Sequence, residues 1–207
     1  LAELPGQRVR IASAVAGGDD PMVRAELHRL VASCGFVGAA RLGDAVQVRW
    51  AMRYGTPAIA AELQALVDAG CGRVLVAPLY PQYSGATNAT VADKVGDALA
   101  AMRSQPALRT LPPYYGDPAY IAALAQDIGA QLDALPFAPR ALLLSFHGMP
   151  ERTRALGDPY HDHCLETARL LEAALGRSGL RPGLRIVTTF QSRFGRAKWL
   201  EPANDRV

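Results

Sequence analysis

In residues 141–150, ALLLSFHGMP, one imidazole follows a short apolar run and is itself followed by Gly148 and Pro150. Such a run reads as a buried strand that delivers His147 to its carboxyl end, where glycine lets the chain turn and proline ends the element. In open parallel sheets ligands bind outside the carboxyl ends of the strands, so His147 stands where chemistry is usually done. Imidazole titrates near neutral pH and ligates metals, which suits it to accept a proton or hold a cation. A lone histidine is more often a packed or surface side chain. Two later segments, GDPY at 157–160 and TFQSRFG at 189–195, shift that weighting toward function.

Three further strand ends offer polar groups. Arg53 and Tyr54 follow residues 46–52, and Tyr80, Gln82, Tyr83 and Ser84 follow residues 74–79. Gln191, Ser192 and Arg193 follow residues 186–189, with Trp199 soon behind. Aromatics, a few arginines and one histidine suit a flat, apolar, anionic ligand. Arginine pairs bidentately with carboxylates, while aromatic faces pack against a ring system. Taken singly, Tyr83 and Trp199 read as core or rim packing and Arg53 as a solvated charge. No G-x-G-x-x-G follows a strand and no G-x-x-x-x-G-K-[ST] occurs, so nucleotide binding has no support. The run His161-Asp162-His163-Cys164 resembles a metal cluster in composition only. At a helix start, residues one or two apart diverge and cannot meet at one ion. A solvated first turn, with Asp162 near the positive end of the helix dipole, accounts for it better.

The elements that must position these groups alternate along the chain. Strands are expected at 46–52, 74–79, 141–145 and 184–189, and helices at 58–69, 91–102, 118–135 and 164–175. Gly70 reads as a helix stop, Asp117-Pro118 as a cap with proline in the first turn, and Thr87, Asn88 or Thr90 as caps for the helix over 91–102. A strand at 9–15 and a helix at 21–33 complete the reading. The alternation predicts βαβ units and a mostly parallel sheet. The pair Pro112-Pro113 marks a junction between an N-terminal domain, 1–112, and a C-terminal domain, 113–207.

Composition narrows the class. The chain has 207 residues, 50% of them hydrophobic and 20% charged, with a net charge of +3, the balance of a globular α/β protein. Lys94 and Lys198 are the only lysines, and the arginines form no block of the kind that tracks nucleic acid. Cys34, Cys71 and Cys164 are scattered without a C-x-x-C, which signals neither a disulfide framework nor a thiolate zinc site and points to a reducing compartment. No apolar run approaches the ~20 residues of a membrane span, and no basic segment followed by an apolar core opens the chain. With Leu1 first and Asn204-Asp205-Arg206 near its close, the chain reads as an internal piece of a longer protein.

Four segments together resemble the signatures of the ferrochelatases: MRYGTP at 52–57, PLYPQYSGAT at 78–87, SFHGMPERTRALGDPY at 145–160 and TFQSRFGRAKWLEP at 189–202. They lie in family order with family-like spacing and span roughly residues 46 to 202. The resemblance implies two similar doubly wound, Rossmann-like α/β domains with parallel sheets, the first lacking its opening strand and the second truncated. It implies insertion of ferrous iron into protoporphyrin IX, or a related dicarboxylic or tetracarboxylic porphyrin, to form haem. His147 falls on the family's active-site histidine, as catalytic residue and Fe2+ ligand. Arg53, Tyr54, Tyr83, Ser84 and Trp199 fall on porphyrin-binding positions.

Porphyrin and ferrous iron are then the partners, with a transient contact at the membrane surface and no nucleic acid, in a cytoplasmic enzyme. Iron enters as substrate, so the chain calls for no further cofactor. The iron–sulfur cluster of some members, held mostly by a C-terminal tail, is not assignable. Departures from the family pattern are the missing Asn-Leu-Gly-Thr-Pro segment, the missing C-terminal glutamate opposite the histidine, and His161 where proline is usual. They imply that the 207-residue chain alone is inactive and prone to associate. The alternatives are a cobalt or nickel chelatase of the same fold, against which the QYS and QSRFG–WLEP segments speak, and a non-catalytic tetrapyrrole-binding module.

Overall fold

The structure is a computed structural model, and it describes residues 47–177, 183–193 and 195–204. The strand expected at 9–15, the helix at 21–33, Cys34, Val46 and Phe194 lie outside the described residues. The remainder is α/β with parallel pairing. It divides into two compact units, one of residues 47–78 with Ala89–Leu111 and one of Leu79–Asn88 with residues 112–204.

In the first unit, α1 (Ile59–Asp68) leads to β1 (Arg73–Val76), α2 (Asn88–Ala100) and β2 (Ala107–Thr110). Helix α1 stops where expected, at Cα positions leading into Gly70 with φ +86, a conformation that a Cβ would strain. On α2 the apolar residues Val91, Val95 and Ala98 recur at helical spacing and are buried with Leu63 of α1. Val74 and Val76 of β1 and Leu108 of β2 pack against them. β1 pairs with β2 in parallel, from Arg73 opposite Ala107 to Val76 opposite Thr110, so β1–α2–β2 is a βαβ unit.

Four details depart from expectation here. Residues 47–51 form no strand, and Met52 makes only an isolated bridge to Ala58. An alternating run becomes a strand through a partner's hydrogen bonds, and no strand among the described residues supplies them. β1 ends at Val76, short of Pro78, whose missing N–H cannot continue a ladder. α2 starts at Asn88, three residues early. β2, a four-residue ALRT segment, was not foreseen.

The second unit contains α3 (Pro118–Asp133), β3 (Ala141–His147), α4 (Glu151–Ala155), α5 (Tyr160–Arg177) and β4 (Arg185–Gln191). Asp117 caps α3, accepting from the N–H groups of Ala119 at 2.9 Å and Tyr120 at 3.1 Å, with Pro118 in the first turn. β3 and β4 pair in parallel, from Ala141 opposite Arg185 to His147 opposite Gln191. Both run two residues longer at their carboxyl ends than the sequence suggested, because the ladder continues past the apolar run. α5 buries Cys164, Ala168, Leu171 and Leu175, one stripe at helical spacing. Leu144, Phe146 and Ile186 of the sheet and Leu124 and Ile128 of α3 close the core around them. Burying each such leucine contributes roughly 1.5–3 kcal/mol, and these contacts anchor α5 on the sheet.

Candidate functional site

β3 ends on His147, whose side chain is exposed. Its place follows from the alternation of the strand. Leu142, Leu144 and Phe146 turn inward, while Leu143, 46% exposed, Ser145 and His147 turn outward. The next residue is Gly148, whose N–H donates to the Gln191 carbonyl at 2.6 Å. A Cβ at Gly148 would stand 2.4 Å from that same carbonyl oxygen, so no other residue fits without moving the strand ends apart. The indole of Trp199 lies 3.5 Å from the same point.

Trp199 is held there by the returning chain. Pro150 bridges to Trp199, the Leu200 N–H donates to the Met149 carbonyl at 2.9 Å, and the Glu151 N–H donates to the Lys198 carbonyl at 2.9 Å. Lys198 also pairs with the Glu151 carboxylate at 2.7 Å. The Phe190 N–H then donates to the Pro202 carbonyl at 2.8 Å, which seats the last described residues along β4. Main-chain pairing thus brings Trp199 beside Gly148, the residue that follows His147.

Beneath the strand end lies an uncharged floor. The Tyr160 phenol packs against Cys164, Phe190 and Leu200, close to the main chain of His147. Burial is the main reason the phenol is pushed well above its ordinary range. Burial likewise pushes the Cys164 thiol up to about 12, against a smaller opposing effect of the neighbouring Tyr160 hydroxyl. Both groups stay protonated at neutral pH, so this buried end of the sheet carries neither a phenolate nor a thiolate.

The 79–88 loop is fastened to α5. Ser84, 1% exposed, donates its hydroxyl to Asp158 Oδ2 at 3.0 Å, and the Gly85 N–H donates to the same oxygen at 2.7 Å. Asp158 Oδ1 accepts from the Tyr160 N–H at 2.9 Å. The Tyr83 N–H donates to His163 Nδ1 at 3.1 Å, and Gln82 Nε2 donates to Thr167 Oγ1 at 3.0 Å. The His163 ring is stacked on Tyr115 with centroids 3.7 Å apart and 13° between planes. Burial lowers the His163 pKa, with Asp158 and Asp162 opposing, which agrees with an Nδ1 that accepts rather than donates.

His161 turns elsewhere, onto Phe190 at 5.5 Å, so the two histidines diverge as helical geometry requires. The first turn of α5 is less solvated than expected, since the His161 side chain is only 11% exposed. Among the described residues no three His, Cys, Asp or Glu side chains converge as a metal site would require.

Arg53 and Tyr54 belong to the first unit. The Arg53 guanidinium lies 3.6 Å over the Tyr54 ring and bonds its hydroxyl, and Arg53 Nε is buried with no partner. Tyr54 is 70% exposed. His147, Tyr83, Ser84 and Trp199 are all in the second unit, where Ser84 is enclosed and Tyr83 is half-buried. Asp158, Tyr160 and His163 carry more of this arrangement than the sequence reading gave them.

The Ferrochelatase family model matches residues 35–207, most of the chain and all of the site just described. This chain belongs to the ferrochelatase family. Curated ferrochelatases agree with it at about half of the aligned positions. The Methylocella silvestris protein is 53% identical over 165 residues, covering 80% of this chain and 46% of its own length. That of Rhizobium meliloti is 54% identical over 160 residues, 77% of this chain and 46% of the relative. That of Agrobacterium fabrum is 48% identical over 183 residues, 87% and 52% respectively. The chain therefore spans about half the length of the curated ferrochelatases it matches.

Proposed function

We propose that this protein inserts ferrous iron into a dicarboxylic or tetracarboxylic porphyrin of the protoporphyrin type, forming haem, with His147 at the point of metal and proton exchange. The observation that carries the reading is an exposed imidazole at the carboxyl end of a parallel strand, one residue before the glycine against which Trp199 is seated. A free-base porphyrin carries two inner N–H protons that must leave before the metal sits in plane. A neutral imidazole accepts such protons and also ligates a borderline divalent ion such as Fe2+. Trp199 and Tyr83 offer aromatic surface to the macrocycle, and Ser84 shapes the loop that presents Tyr83. Arg53, stacked on Tyr54, offers a guanidinium to the porphyrin carboxylates. No described helix is long and apolar enough to cross a membrane. The reading places the enzyme in the cytoplasm, meeting a membrane surface only to exchange its apolar substrate.

The test is iron insertion by the full-length protein. His147→Ala should reduce turnover by at least ~10²–10⁴, the usual contribution of a general acid–base group, while porphyrin binding persists. Arg53→Ala should raise the KM for porphyrin with the iron dependence little changed. Wild-type turnover in His147→Ala would refute the assignment. Preference for cobalt or nickel over iron in the parent would move it to another chelatase.

A further inference from the structure

Helix α5 presents two stripes. One is the apolar row from Cys164 to Leu175 that rests on the sheet. The other runs from Asp158, just ahead of the helix, through His163 to Thr167, and it receives donors from Ser84, Gly85, Tyr83 and Gln82 of the loop. We propose that Asp158 is a positioning residue for the metal-insertion reaction. One carboxylate simultaneously fixes the loop carrying Tyr83 and the start of the helix whose Tyr160 packs against Cys164, Phe190 and Leu200 at the end of the sheet that carries His147. The inference rests on the functional reading above and adds to it the residue that keeps loop and strand end in register.

The chemistry of the carboxylate supports this role over that of a helix cap alone. A cap needs one acceptor. Asp158 uses Oδ1 on the Tyr160 N–H and Oδ2 on two donors lying 74 and 73 residues earlier in the chain. Those donors come from a hydroxyl that is 1% exposed and a main-chain N–H, neither of which has an obvious replacement for Asp158. Ser84 Oγ in turn accepts from the Ala86 N–H at 3.1 Å, so the hydroxyl is oriented on both sides. An amide cannot do the same. Asparagine has one carbonyl oxygen, and its NH2 would face either the Tyr160 N–H or the Gly85 N–H, donor against donor. Asp158→Asn should therefore keep one of the two attachments and lose the other, at almost unchanged volume.

The experiment combines kinetics with amide hydrogen exchange on the full-length enzyme. Asp158→Asn should lower kcat/KM for porphyrin by roughly 10²-fold, as expected when reacting groups shift by about an ångström, with the KM for iron unaltered. Ser84→Ala, which removes one of the two loop donors to Asp158 and leaves the Gly85 N–H in place, should lower the same parameter by less. The double variant should fall short of the product of the two losses, because both act through one carboxylate. Glu166→Ala, on the exposed side of α5, should leave all constants unchanged. Exchange at the Gly85 or Tyr160 amide should quicken in Asp158→Asn. Unchanged exchange at both would show that Asp158 holds neither element and would overturn the proposal, as would faster exchange with porphyrin kcat/KM intact. If Asp158→Asn does not fold, Ser84→Ala decides by the same two measurements. A wild-type enzyme inert toward iron and porphyrin would instead sink the functional reading, while the exchange arm still reports on the attachment itself.

Discussion

At Gly148 the two strand ends leave no volume for a side chain. Gly148→Ala would force a methyl group against the Gln191 carbonyl, 2.4 Å from the ideal Cβ, beside the Trp199 ring. Overpacking of this kind costs about 1–3 kcal/mol, and here the relief must come from spreading the chain on either side of His147. Denaturant unfolding should show that loss, together with a fall in iron insertion larger than the stability change explains. His163 allows a second test at this scale. Its pKa is lowered from 6.5, chiefly by burial, so the folded state favours the neutral ring that accepts from Tyr83. The stabilisation is complete above the unfolded pKa near 6.5 and is lost as pH falls through the lower folded value. His163→Gln, whose carbonyl accepts without titrating, should flatten the stability profile below the ordinary histidine pKa of 6.5; an unchanged slope would assign the titration to other groups. The position of His147 was legible because it depends on neighbours in sequence, an apolar run followed by glycine and proline. The roles of Asp158 and His163 were not, because their partners lie 73 to 80 residues away and leave no local pattern.

Helices carry their own punctuation, and here it could be read directly. Asp117 and Pro118 announce the start of α3, and the Asp117 carboxylate satisfies two N–H groups that the first turn cannot pair internally. Asp117→Ala should destabilise the protein by about 1 kcal/mol, within the 0.5–2 range for such caps, with no direct effect on iron or porphyrin. A melting curve and a steady-state assay on the same preparation would check both halves of that statement. Strands are less self-sufficient. β2 is four residues long, mostly exposed and contains two polar side chains, so its existence depends on the main-chain ladder to β1. The reverse holds for residues 47–51, which alternate convincingly yet form no ladder among the described residues. The carboxyl ends of β3 and β4 extend past the apolar run for the same reason, since pairing between His147 and Gln191 requires no hydrophobic side chain at either position.

At the scale of the molecule, each unit encloses its own core, one around Leu63, Val91, Val95 and Ala98 and the other around Leu144, Ala168, Leu171 and Leu175. The path of the chain between them is not a single crossing. It passes into the second unit at Leu79, leaves it after Asn88, and returns at Pro112. Hybrids between related enzymes are therefore sensitive to where they are spliced. A splice at Pro112 alone would join one parent's 79–88 loop to the other parent's α5, and Asp158, His163 and Thr167 would meet donors shaped for different partners. Exchanging the second unit intact needs three breakpoints, at Leu79, Ala89 and Pro112. The decapeptide travels with the helix that holds it, although 68 residues lie between Asn88 and Gly157 along the chain.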